Sequence, residues 1–149
     1  MAEIQVGGKA VVFGLPLFTL DTGTTAAPTT DVAVYITEVQ YEKAADMEET
    51  RNDAGEVSNI TYYNANETCT ITCYPYGTDR SAANTANALP AIGSVVGVTG
   101  TTANDTDIGT TEKEWTLTAA SKSRSQTGKA VWTLTLRRFA GLTSYYQLS

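Results

Sequence analysis

Chemistry in this sequence has few places to start. The acids Glu38, Glu42, Asp46, Glu48 and Glu49 crowd one segment and offer the raw material of a paired general acid and base. They are interleaved with Lys43 and Arg51, which marks a solvated excursion rather than a catalytic cleft. The chain has no histidine, so imidazole-based serine or cysteine triads are excluded, along with the commonest metal ligand and pH switch. Two cysteines stand in "CTITC" as Cys69 and Cys73. On a straight strand they lie roughly 13 Å apart at about 3.3 Å per residue, too far for a disulfide, and they read as buried apolar thiols. Two thiols without two further ligands make a poor zinc site. Asp105 and Asp107 in "TANDTD" miss the spacing of a calcium loop, and no glycine-rich phosphate loop with its trailing lysine occurs. Trp115 and Trp132 could serve as sugar-stacking platforms, but their matched places in twin "WTLT" runs favour core or cross-strand partners. The expectation is a protein that is not an enzyme, with no metal and no cofactor.

The elements that carry these residues are strands. The 149 residues fit a single domain, and the 17% charged content is low, with Thr, Ala, Gly and Asn in its place. Thr and Tyr favour strands and Gly and Asn favour turns, a bias towards an all-β fold. "EIQVGGKAVVFG" offers a first strand. The Thr-rich stretch 19–30, "TLDTGTTAAPTT", reads as a flexible loop. "DVAVYITEVQY" alternates Val32, Val34 and Ile36 against Tyr35, Thr37 and Val39. A charged excursion follows over 42–56; it has some helical propensity, but Asn52, Asp53 and Gly55 end any helix and start a turn. The plainest reading is a long hairpin from Val32 to about Tyr74 with its charged tip beyond the sheet. In "ETCTITCYPYG", Cys69, Ile71 and Cys73 share one face and Thr68, Thr70 and Thr72 the other. One short helix is expected in "TDRSAANTANALP", capped by Thr78, Asp79 or Ser81 and stopped by Pro90. "AIGSVVGVTG" is a short strand. "EWTLTAA" and "AVWTLTLRRF" form a last hairpin, with Trp115 and Leu117 facing Trp132, Leu134 and Leu136, and Lys122, Arg124 and Lys129 in its basic loop. The predicted fold is mainly β: an antiparallel sandwich or barrel with one short flanking helix and a long charged hairpin loop.

Charge limits the partners. A net charge of −6 disfavours a protein that grips nucleic-acid backbones. The start of the sequence has no basic lead, and Gly14 and Pro16 interrupt its apolar run, unlike a signal peptide or membrane span. The expectation is a cytosol-like site of synthesis and no membrane partner. The charged excursion then has two readings, a solvated tip or a contact with another copy of the chain. Mixed signs in one segment suit electrostatic register with a like molecule. Tyr145 and Tyr146 near the end of the chain read as interface anchors or as a tail folded onto its own sheet.

The run "VQYEKAADMEETRNDAGEVSNITYYNANETCTIT", then "YPYG", an Ala-rich helix, "LPAIGSVVGV" and the "WTLTLRRF" hairpin, resembles small virion proteins of tailed bacteriophages over roughly residues 32–139. In particular it is similar to tail-tube (major tail) and related ring-forming tail or neck proteins. The resemblance rests on order and texture, and the Thr-rich stretch 19–30 has no counterpart in it. It implies a hexameric ring whose sheets join side by side, rings that stack, and a hairpin that reaches the neighbouring ring. Glu42, Lys43, Asp46, Glu48, Glu49, Arg51 and Asp53 would then bridge subunits. It further implies a virion protein, assembled in the bacterial host cytoplasm with other tail or neck proteins, whose net acidic bore passes DNA without specific binding. The alternatives are a capsid decoration or head-tail completion protein, and a carbohydrate-binding β-sandwich module.

Overall fold

A computed structural model describes residues 6–9, 12, 14–15, 18–23, 28, 30–100, 107–108 and 113–142. Among them run seven strands and one helix: β1 (Phe18–Gly23), β2 (Thr30–Val32), β3 (Val34–Arg51), β4 (Val57–Pro75), α1 (Arg80–Ala86), β5 (Val95–Gly100), β6 (Lys113–Ser123) and β7 (Val131–Phe139). They form a single seven-stranded sheet in the order β2-β1-β5-β6-β7-β4-β3, and every pairing is antiparallel. The fold is mainly β with one short helix. The sheet is not closed into a barrel. Its two edge strands, β2 and β3, are nonetheless one length of chain interrupted only at Ala33, whose carbonyl accepts from the Tyr76 amide at 3.1 Å.

Alternation explains which face is buried. Cys69, Ile71 and Cys73 of β4 stand opposite Leu136, Leu134 and Trp132 of β7, and all six are buried. Leu117 and Trp115 of β6, Phe18 and Leu20 of β1 and Val96 and Val98 of β5 complete the same core. One face of one sheet can enclose a core only if the sheet curls, and bulges bend strands and increase twist. Thr37 is the extra residue in β3, Ser58 in β4 and Thr118 in β6. Each uses its hydroxyl to donate across the ladder: Thr37 to the Thr72 carbonyl at 3.1 Å, Ser58 to Thr50 at 3.1 Å, Thr118 to Thr135 at 3.2 Å. A hydroxyl thus bonds a partner-strand carbonyl where the backbone ladder slips.

The two tryptophans are buried, yet they are not cross-strand partners: Trp132 stands opposite Lys122 and Trp115 opposite Val96. Trp132 lies under the helix end, where its Nε1 donates to Asn87 Oδ1 at 3.0 Å and Lys122 Nζ donates to the Asn87 carbonyl at 2.9 Å. Asn87 is itself buried, so the helix is pinned to the sheet by its C-cap residue. Of the three candidate caps, Asp79 is the N-cap, accepting from Ala82 N at 2.8 Å.

Two expectations are corrected. Residues 19–30 are not one loop: Thr19–Gly23 belong to β1 and Thr30 opens β2, because Phe18 and Leu20 turn inward while Thr19 faces out. The expected first strand in "EIQVGGKAVVFG" is absent from its described residues, Val6–Lys9, Val12 and Gly14, all of them exposed.

Trp132→Phe leaves the buried Asn87 oxygen without its donor and is expected to cost about 1–3 kcal/mol, read as a lower denaturant midpoint at constant slope. Burial pushes the Cys73 thiol up to about 12. The thiol therefore stays protonated at pH 8, and neither buried cysteine should react with a thiol reagent until the protein is unfolded, when both titrate.

Candidate assembly interface

The charged excursion over 42–56 is not a loop. β3 and β4 pair without a gap to Arg51 and Val57, and only Asn52–Glu56 turn. Helix-tolerant Ala, Met and Glu are overridden here by the returning strand, whose ladder satisfies the backbone that a helix would have satisfied internally. The turn is built on Asn52. Its Oδ1 accepts from the amides of Ala54 and Glu56, both at 3.0 Å, and its own amide donates to the Glu56 carbonyl at 2.9 Å. Gly55 takes φ +78°, a backbone state that favours glycine, and Arg51 Nη1 donates to its carbonyl at 2.8 Å.

The hairpin outruns the sheet. β7 pairs with β4 from Cys73 only as far as Asn66, opposite Phe139. Just beyond, Ala45 faces two residues of β4, Asn64 and Ala65, in a further bulge, with Asn64 at φ +54°. Asn64 Nδ2 donates to Asp46 Oδ2 at 3.0 Å and Asn66 Nδ2 to the Asn64 carbonyl at 3.1 Å, which holds the bend. From Asp46 and Tyr63 outward the chain is a two-stranded ribbon, and none of its residues is buried. It reaches about 20 Å past the sheet at about 3.3 Å per residue.

This arm has two unlike faces, because residues directly opposite on paired strands share a side. One carries Asp46 with Tyr63, Glu48 with Thr61, and Thr50 with Asn59. The other carries Met47 with Tyr62, Glu49 with Ile60, and Arg51 with Val57. On that second face Tyr62 is 68% exposed, Met47 49%, Ile60 45% and Val57 43%, around a single ion pair from Arg51 to Glu49 at 3.1 Å. Five carboxylates against one guanidinium leave residues 46–63 at net −4.

The residues expected to bridge subunits thus fall at three levels. Glu42 and Lys43 stand on β3 where the arm leaves the sheet, Asp46, Glu48, Glu49 and Arg51 lie along the arm, and Asp53 sits in the turn. Tyr145 and Tyr146 lie outside the described residues. Sequence reasoning missed the apolar face. Ile60 and Tyr62 alternate visibly, but the bulge at Ser58 returns Val57 to their side, and a strict period of two places it on the other.

A clamp holds the root. The Tyr41 hydroxyl donates to Glu67 Oε1, and Glu67 Oε2 meets Arg138 Nε at 3.4 Å. The Arg138 guanidinium lies 5.7 Å over the Trp115 ring, which Tyr41 meets edge-on at 6.1 Å, and Lys43 Nζ pairs with Asp107 at 3.2 Å. Burial first, and the Glu67 bond second, hold the Tyr41 hydroxyl protonated well above the usual tyrosine range. No protein-family model matches this chain, and no curated protein matches it in sequence.

Because the native state keeps that proton longer than the unfolded chain, the contribution of Tyr41 is complete below about pH 10 and falls as pH climbs towards the raised value. Tyr41→Phe is expected to unfold more easily than the parent at pH 7. The gap should narrow above pH 10, measured as paired denaturant midpoints; a pH-independent gap would contradict this origin.

Proposed function

We propose that this chain is a structural virion protein of a tailed bacteriophage that assembles with itself into stacked hexameric rings of a tail tube, a conduit for DNA. The observation that carries the reading is the bare arm. A two-stranded hairpin is marginal in water on its own, and an exposed apolar face beyond the domain marks a contact surface. An arm of this length that supported only its own molecule would add exposed backbone and apolar area for no gain.

The sheet face opposite the core supports the conduit. It carries rows of short hydroxyl side chains, Thr72 beside Thr133 and Thr70 beside Thr135, with Glu38, Gln40 and Glu42 along the β3 edge. Six copies at −6 each bring −36 to a ring. Arg137 stands in the same rows, beside Thr68 and Thr116, with Glu42 as the other neighbour of Thr68. A bore lined mainly by neutral hydroxyls and carboxylates would hold phosphates weakly, since like charges repel over a Debye length of about 8–10 Å. Assembly would take place in the bacterial host cytoplasm, with other tail or neck proteins as further partners. Decoration of a capsid or completion of a head-tail junction would use the same arm on a different host surface. A glycan-binding module would have to work without the indoles of Trp115 and Trp132, which are buried.

Replacing residues 47–62 by Asn-Gly closes the hairpin at the Asp46–Tyr63 pair with a favoured two-residue turn. The shortened protein is expected to melt within a few degrees of the parent, as no buried side chain is lost, yet to stay monomeric in sedimentation where the parent forms rings or tubes in negative-stain images. A parent that stays monomeric at every concentration and adds only to preformed capsids would replace the tube by decoration.

A further inference from the structure

The molecule is electrically polar along its long hairpin. β4 runs from the acidic arm at Val57 to Pro75, a span of about 60 Å at about 3.3 Å per residue. At the far end lies the turn between β6 and β7, where Lys122, Arg124 and Lys129 occur within 121–130 without an acid. Lys122 bonds the C-cap of the helix, whose first residue is Arg80, directly after the capping carboxylate of Asp79. This end also bears aromatic surface. Tyr35 and Tyr76 stack at 4.3 Å, Tyr74 tilts against Tyr35 at 5.7 Å, and Lys129 Nζ lies 4.7 Å over the Tyr74 ring. Tyr35 is 54% exposed and Tyr76 41%.

We infer that this basic, tyrosine-faced end is the receptor for the arm of a second copy, so that copies join head to tail along the hairpin axis. The inference rests on the self-assembly reading above and adds the surface that receives the arm. Two complementarities select a second copy of this chain as the occupant. The arm is net −4 and the turn is net +3. The apolar side of the arm, Met47, Ile60 and Tyr62, has an exposed aromatic counterpart only a short step from those cations. The two surfaces cannot meet within one molecule, because the paired length of β4 holds them apart. The contact is therefore heterologous, with different patches on the two copies. Opposite charge fixes its direction, since arm against arm or turn against turn would repel.

Complementation tests it on the full chain. An arm variant, E48K/D53K/E56K, keeps the Glu49–Arg51 pair, and a turn variant, R80E/R124E/K129E, keeps the Lys122 bond to the helix end. Each variant alone should fail to assemble, since its arm and its receptor then carry the same sign. An equimolar mixture should assemble, because every arm again meets an opposite charge; circular dichroism checks that both fold. A second readout mixes I60C and Y76C proteins, which should form a disulfide heterodimer under mild oxidation while the buried native thiols stay silent. A wild type that assembles, with a mixture that neither assembles nor cross-links, would overturn the receptor and leave self-assembly standing. Variants that each assemble as well as the wild type would do the same. A wild type that never associates would remove the self-assembly reading itself.

Discussion

Everything distinctive about this chain follows from where β4 loses its second neighbour. From Cys73 to Asn66 the strand is hydrogen-bonded on both sides, and its inward residues are buried with those of β7. One bulge later it has only β3, and no side chain is buried again before the turn. Backbone pairing continues because each N–H and C=O still finds a partner across the ribbon, but the hydrophobic contribution stops. The arm is held by its ladder, by the Asn52 turn and by the clamp of Tyr41, Glu67 and Arg138 at its root. Such a segment sits at the low-stability end of a domain, where binding elements are drawn from.

The buried half of the molecule was open to reading from pattern alone. "CTITC" and the two "WTLT" runs alternate strictly, and alternation with period two is what a half-buried strand requires. The helix was legible for a separate reason: an Asp cap, alanines and a proline stop in sequence. The hairpin and its charged tip beyond the sheet were legible too, from Asn52, Asp53 and Gly55 and the strand-like run that follows them; the unbroken pairing of β3 and β4 out to that turn was not, because residues 42–51 carry helical preference and charge. The paired register is a long-range fact, and its apolar face is hidden twice, once by the interposed Glu49 and Arg51 and once by the slip at Ser58. β1 was missed for lack of length. Phe18 and Leu20 give a single alternation, too short to stand out from the threonines around them.

The bulges tie these observations together. Thr37 and Thr118 lie where the sheet must curl round its core, and Ser58 lies where the arm must gather Val57, Ile60 and Tyr62 on one side. In each case a β-hydroxyl side chain bonds the partner strand's carbonyl and stabilises the irregularity locally. An abundance of threonine in a β protein is therefore more than a propensity effect. At these positions the hydroxyl is part of the geometry that shapes the sheet.

The proposed assembly needs contacts in two directions, and the chain offers separate surfaces for them. Along the hairpin, the acidic arm and the basic turn are different surfaces, so one contact leaves a free arm at one end and a free receptor at the other, and stacking has no built-in stop. Across the hairpin, β3 presents an unpaired edge, while β2 at the opposite margin is only three residues long. Glu38, Glu42 and Lys43 on β3 discourage indiscriminate edge pairing, as charges on edge strands do. A lateral neighbour that covered this edge would remove the liability, and closure of a ring would remove it from every subunit at once. Under the stacked-ring reading the limited direction is lateral and the open-ended one axial, which is the division a tube requires.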